Sequence, residues 1–210
     1  MSDIYDRKRL RMNKQLIISV GREFGSGGHV IAHKLAEHYQ LPVYDYNLLR
    51  EIAIEKNVNP EELEKYDEKP RSVLFNRTVR GYSSSVEDNI HKMQFDFLRK
   101  KSDAGESFVI IGRCSEEILK DNPNMVSIFI LADYEAKVTR TMERENITRE
   151  HAEKLIAFHN RKRKAYHNYY CKGKWGDSRN YELSINSSRI GLDETTRVII
   201  DYIDARYHAK

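Results

Sequence analysis

Along the chain, short apolar runs alternate with stretches in which apolar side chains return every three or four positions. "QLIISV" (Gln15–Val20), "LPVYD" (Leu41–Asp45), "ESFVIIG" (Glu106–Gly112), "MVSIFILA" (Met125–Ala132) and "YELSINS" (Tyr181–Ser187) read as strands. The more continuous of these runs have the pattern of strands buried on both faces. Between them, Ile31, Leu35 and Tyr39 recur at four-residue steps after Gly28, and Ile90, Met93 and Phe97 recur at steps of three and four. Ser84 and Glu87 have the spacing of a capping box in front of that second set. Further helical patterns cover Asn47–Asn57, the surroundings of Glu116–Leu119, Glu135–Arg144, Thr148 to about Tyr170, and Asp193–Ile203. Residues 58–85, with Pro60, Pro70, Gly81 and the serines at 83–85, are the least regular part.

Five strands alternating with helices predict an α/β fold with three layers, α/β/α, around a five-stranded parallel sheet. Right-handed crossovers would bring the loops that follow the strands to one edge, where open sheets of this kind bind ligands. Arg22–Gly28, Asp45, Arg113 and Asp133 all lie in such loops.

The bulk numbers narrow the setting. At 210 residues the chain suits one domain with a sizeable core, and its apolar runs fall short of a bilayer span. The first residues, "MSDIYDRKRLRMNK", lack the apolar centre of a signal peptide. Cys114 and Cys171 are too few for a disulfide framework and lack zinc-finger spacing, so a reduced, cytoplasmic protein is expected. The net charge of +4 is concentrated in residues 1–14, which carry Arg7, Lys8, Arg9, Arg11 and Lys14 against Asp3 and Asp6. That distribution describes a basic N-terminal arm on a nearly neutral body, and the chain is not read as a nucleic-acid-binding protein.

"VGREFGSGG", between the first strand and the first helix, has the layout of a phosphate-cradling loop. Successive N–H groups can curl around an anion at the helix N-terminus, and glycine is needed where the backbone turns tightly or approaches oxygen. Gly25, Gly27 and Gly28 supply that backbone, and Ser26 adds a hydroxyl. Against G-x-x-x-x-G-K-[ST], however, Arg22 stands at the first glycine, Gly28 at the lysine and His29 after it. The missing positive charge must come from elsewhere, and Arg22 is the nearest candidate. A ligand-free turn joining strand to helix is the competing reading.

"ISVGREFGSGG", "LPVYDYNLL", "VIIGRCSEEIL" and "YYCKGKWGDSRNYELSINSSRIGLDE" together resemble the cytidylate kinase-like family, a branch of the P-loop nucleoside monophosphate kinases. The likeness runs from about Gln15 to Ile203. It implies a P-loop kinase with a helical lid, residues 15–210 as a single domain, a helical nucleotide-binding insert at 58–105 and a lid region at 134–180. It also implies phosphoryl transfer from ATP, with Mg2+, to CMP or dCMP. In that reading Gly25, Ser26, Gly27, Gly28 and His29 hold ATP, Asp45 and Arg113 bind the acceptor, and Arg22, Arg140, Arg161 and Arg163 surround the phosphates in transfer. Binding without turnover, and a different small acceptor, are the alternatives. The resemblance names no metal ligand. Cys114 stands where cytidylate kinases have aspartate, although cysteine is usual in this branch, and His29, Asn160, Glu182 and Ser184 depart from the arginine, aspartate, aspartate and cysteine of the branch's pattern.

Each assignment has a plainer counterpart. Asp45 can cap the helix after it, and "NRKRKAY" (Asn160–Tyr166) can be a solvated helix face. The aromatics of "YHNYYCKGKW" can pack on the sheet or stack on a base. His29 and His33 have the spacing of a metal pair without a supporting acid. Cys114 is either packing or a perturbed thiol beside Arg113. The Tyr-bearing residues 66–86 offer a contact for a homodimer.

Overall fold

A computed structural model of the chain describes residues 14–45, 47–56, 59, 78–79, 82–83 and 86–208. The basic arm up to residue 13, most of the 58–85 insert with its expected dimer contact, and the Ser84 cap lie outside the described residues.

The chain runs β1 (Ile17–Arg22), α1 (Gly28–Tyr39), β2 (Val43–Tyr44), α2 (Leu48–Lys56), β3 (Thr78–Val79), β4 (Tyr82–Ser83) and α3 (Val86–Asp103). It continues with β5 (Phe108–Ile111), α4 (Ser115–Ile118), β6 (Met125–Leu131), α5 (Tyr134–Glu145), α6 (Arg149–Tyr170), β7 (Leu183–Asn186) and α7 (Gly191–His208). Five strands form one sheet in the order β2-β5-β1-β6-β7, all parallel. The expected architecture holds. β2 is shorter than its apolar run, although the Pro42 carbonyl still accepts the Val109 N–H at 2.9 Å. Within the stretch expected to be irregular, β3 and β4 pair as an antiparallel hairpin.

Alternation along the strands builds two cores. Ile18, Val20, Val109 and Ile111 join Ile31, Leu35, Ile199 and Ile203 on the α1/α7 side. Ile17, Phe108 and Ile110 face Leu48, Leu49, Ile52, Phe97 and Leu98 of α2 and α3 on the other. Period-two side-chain alternation in a sheet covered on both faces explains why the runs are continuously apolar. At roughly 1.5–3 kcal/mol for each large apolar side chain removed from water, these layers hold the sheet edge rigid behind the loops.

The loops after β1, β2 and β5 therefore emerge side by side. β1 has β5 and β6 as its neighbours and β2 lies next to β5. That adjacency brings residues 22, 45 and 113 together.

Candidate active site

The glycine loop is clamped from several sides. Gly25 and Gly27 have φ of +77° and +79°, left-handed values that suit glycine. A β-carbon on Gly25 would fall 2.9 Å from the Lys137 carbonyl oxygen, and one on Gly27 2.4 Å from Leu192 Cδ2. The loop thus threads between α5 and the start of α7, and Gly27 caps α1. The Glu23 N–H donates to the Ile130 carbonyl at 3.0 Å. Ser26 Oγ donates to the Glu23 carbonyl at 2.9 Å and accepts from the Gly28 N–H at 3.3 Å. Lys137, buried on α5, pairs with Glu23 at 2.8 Å.

Arg140 braces the same loop. Its Nη1 donates to the Ser26 carbonyl at 3.1 Å and to Ser187 Oγ at 3.0 Å, and Nη2 donates to the Ser187 carbonyl at 3.3 Å. Burial lowers its pKa from the ordinary arginine value. The arginine expected among the moving phosphates is, in this conformation, a strut between α5, the loop and the segment after β7.

Arg22, Asp45, His29 and Arg113 converge beside the loop. Arg22 Nη2 lies 3.7 Å from Asp45 Oδ1, with both side chains nearly buried. His29 Nε2 lies 3.1 Å from Asp45 Oδ2. Arg113 is 5% exposed, and its Nη2 donates to the Asp45 carbonyl at 3.5 Å. It holds a φ of +61°, followed by Cys114 at +56°, so two consecutive non-glycine residues turn left-handed where β5 ends. Partial burial holds the His29 imidazole below the usual histidine range; His33 and Arg22 add to this, while Asp45 pulls the other way. The Asp45 side chain faces cations, and the neighbouring Asn47 Oδ1 accepts the Asp45 N–H at 2.8 Å.

The long helix α6 docks on the loop through its 159–163 turn. Asn160 Oδ1 accepts the Phe24 N–H at 2.7 Å, and the Phe24 ring stacks on His159 with centroids 4.4 Å apart. Arg163 Nη1 donates to the Arg22 carbonyl at 3.3 Å, and its guanidinium lies over Phe24, as does that of Arg144. Arg161 is exposed on α6 and stays outside this cluster. His33 lies beside His29 with the rings tilted at 45°, without forming part of a clustered donor set among the described residues.

Two hollows adjoin the loop. One is lined by Arg22, Arg113, Cys114, Lys162, Arg163 and Tyr181. The other, about 350 Å³, is lined by Gly25, Gly27, Arg140, Arg144 and Leu192. Trp175 and Tyr181 pack against Phe129 at centroid distances of 5.5 and 4.9 Å, so the aromatics after α6 do pack on the sheet. Lys137 and Lys162 were not singled out in the sequence, where both sit in charged helical stretches and nothing marks them as inward-facing.

A parallel sheet in this order, with a glycine loop running into α1 and cations gathered at the same edge, is the fold of a P-loop kinase. A shikimate kinase from Bacteroides thetaiotaomicron shares it, with a TM-score of 0.53 and 12% identity over 90% of this chain and 98% of that one. The chain belongs to the cytidylate kinase-like family, whose pattern matches residues 17–189. It is 29% identical to the cytidylate kinase of Pyrococcus horikoshii over 90% of this chain and 91% of that protein. An uncharacterized protein from Eubacterium ventriosum is similar in structure, with 43% identity and a TM-score of 0.73 over 90% of this chain and 99% of that one. The molecule thus has a kinase-like, nucleotide-binding fold. Among the described residues no helix is long and apolar enough to cross a membrane.

Proposed function

We propose that this protein transfers the terminal phosphoryl group of ATP to a nucleoside monophosphate, with CMP or dCMP as the acceptor. The convergence of Arg22, Asp45 and Arg113 beside the glycine loop carries the reading. Transfer between two phosphates brings polyanions together, so it requires in-line positioning and cations rather than a strong general base. Arginines from separate loops meet that need, because each planar guanidinium can grip phosphate oxygens bidentately.

ATP fits the loop on three counts. The left-handed glycines keep side chains out of the cradle, α1 presents its N-terminus, and the 350 Å³ hollow beside Gly25 and Gly27 leaves room for a nucleoside. Gly25, Ser26, Gly27, Gly28 and His29 would line its phosphates. Bound Mg2+ would neutralise charge on the phosphate oxygens. The acceptor's phosphate would meet Arg22, Arg113 and Arg163 at their hollow, which at about 30 Å³ must widen by a shift of α6 to admit a nucleotide, with Arg113 gripping that phosphate. The 134–180 region would serve as the lid: Arg163 and Lys162 already line the acceptor hollow, and Arg161 is placed to join from the solvent side only if α6 shifts. The cytidylate kinase relative supports the choice of base.

The test is ADP release from Mg-ATP across a panel of nucleoside monophosphates, with Arg113→Ala alongside wild type. CMP-dependent turnover falling by about 10²–10³ in the variant is expected, the scale of losing one preorganised transition-state contact. No turnover with any member of the panel would overturn the reading.

A further inference from the structure

Cys114 and Cys171, 57 positions apart in the chain, meet behind the acceptor hollow. Cys114 caps the start of α4 and Cys171 ends α6. Both are buried free thiols, packed with Tyr166 in one small cluster and within hydrogen-bonding reach of each other. His167 stands one helical turn before Cys171. Its Nε2 lies 2.5 Å from Glu116 Oε1, and its buried Nδ1 has no hydrogen-bond partner of regular geometry. Donor atoms of Glu116, His167 and Cys171 lie within 4.8 Å of one another. Cys114 stands outside that trio, next to Cys171. Glu116, His167 and Cys171 thus form a compact buried trio that Cys114 joins through Cys171, so the second thiol faces a sulfur and not the carboxylate.

The geometry points to a dithiol that responds to hydroperoxides: Cys171 and Cys114 close to a disulfide that ties the Arg113 loop to the end of α6. An imidazole that bonds a carboxylate and stands beside a thiol is held protonated and stabilises the thiolate next to it. The hydrogen bond from Cys114 and the facing His167 hold the Cys171 thiol down to about 7, while the same hydrogen bond and burial push the Cys114 thiol up. Against its own burial, His167 is pushed up to about 10 by Cys171 and Glu116. Cys171 is thus the attacking sulfur and Cys114, on the hollow's wall, the resolving one.

The chemistry balances with a hydroperoxide as the oxidant. The Cys171 thiolate attacks one peroxide oxygen, the O–O bond breaks, and the departing hydroxide or alkoxide takes a proton from the His167 imidazolium. Cys171 is left as a sulfenic acid. The Cys114 sulfur then attacks the Cys171 sulfur, giving up its proton, and the S–O bond breaks with release of water. Two thiols are oxidised to one disulfide and the peroxide is reduced to water, or to water and an alcohol. Cys114 directly follows Arg113, so the bond fixes the backbone that presents the guanidinium. Its effect on turnover rests on the kinase reading given above; the thiol chemistry does not.

The test exposes reduced, full-length protein to hydrogen peroxide, alkylates it under denaturing conditions and reads intact mass and a non-reducing peptide map. Wild type should lose both alkylatable thiols together, become two hydrogens lighter with no added oxygen, and yield a linked 114–171 peptide pair. Cys114→Ser should stop at a sulfenic acid on Cys171 that dimedone traps, and His167→Gln should slow thiol loss by about tenfold. Wild-type mapping alone decides the matter if a variant does not fold. Thiols that stay fully alkylatable, oxygen added to one cysteine without a link, or equimolar zinc held by the purified protein would each overturn the proposal. In the linked form, acceptor-dependent turnover should fall by about tenfold or more and return with dithiothreitol. Unchanged turnover would overturn the tie to Arg113. A link in a protein that never turns over would overturn the kinase reading and leave the dithiol standing.

Discussion

Arg22 occupies the space that a side chain at position 28 would need. A β-carbon built on Gly28 falls 2.6 Å from Arg22 Cβ, and one built on Gly112 falls 2.3 Å from Arg22 Nη1. The arginine therefore lies across Gly28, where the lysine of an ordinary P-loop would begin, and runs on past Gly112 towards Asp45. The two glycines and the arginine form one steric unit, and the positive charge has moved from the head of the helix to the end of the strand.

Restoring lysine at 28 should therefore harm the protein. Gly28→Lys is expected to destabilise it by roughly 1–3 kcal/mol, the usual cost of overpacking, and to weaken ATP binding. Arg22→Gly/Gly28→Lys should recover part of that stability, because glycine at 22 removes the Cβ that the new side chain would strike. Urea denaturation of Gly28→Lys, Arg22→Gly and the double variant measures the coupling. Additive losses would show that the two positions do not share the space.

Much of this architecture was legible in the sequence. The five strands stood out because a sheet buried on both faces leaves no polar side to interrupt an apolar run. The chemical loops stood out because parallel connections bring strand ends to one edge, which put Arg22, Asp45 and Arg113 together before any coordinates. Other features left no linear trace. Cys114 and Cys171 meet only because α6 returns across the sheet edge, and no spacing rule anticipates it. Arg161 and Arg163 were grouped as a pair, yet residues two apart on a helix point to nearly opposite sides. Only Arg163 reaches the loop.

Arg140 should act on the donor side through the loop. Arg140→Ala removes a half-buried charged donor from the Ser26 and Ser187 carbonyls, and hydrogen bonds to charged groups contribute at most about 1.5–3 kcal/mol each there. The expected result is a lower denaturation midpoint and a raised KM for ATP, with the acceptor KM little changed. A KM shift confined to the acceptor would contradict the bracing role.

The reduced His167–Cys171 pair has a defined pH signature. His167 sits near 10 instead of its ordinary 6.5, and Cys171 near 7 instead of 9. Between about pH 7 and 9 the folded pair carries one proton on the imidazole and the unfolded pair one on the thiol, so its contribution to stability is flat. Above about 9 the folded state keeps a proton that the unfolded state has lost, and stability falls as pH rises through the folded His167 value. The urea midpoint of wild type minus that of His167→Gln should thus hold level across neutral pH and drop between about pH 9 and 10. A difference that grows over that range would contradict the ion pair.

The most direct measurement is single-turnover phosphoryl transfer at saturating Mg-ATP and CMP in wild type and in Arg22→Ala, after circular dichroism has shown that the variant is folded. If Arg22 supplies the charge that Gly28 cannot, the rate should fall by about 10²–10³ while the Kd for ATP stays within about threefold. A variant that turns over at close to the wild-type rate would contradict the account and leave the missing lysine without a replacement.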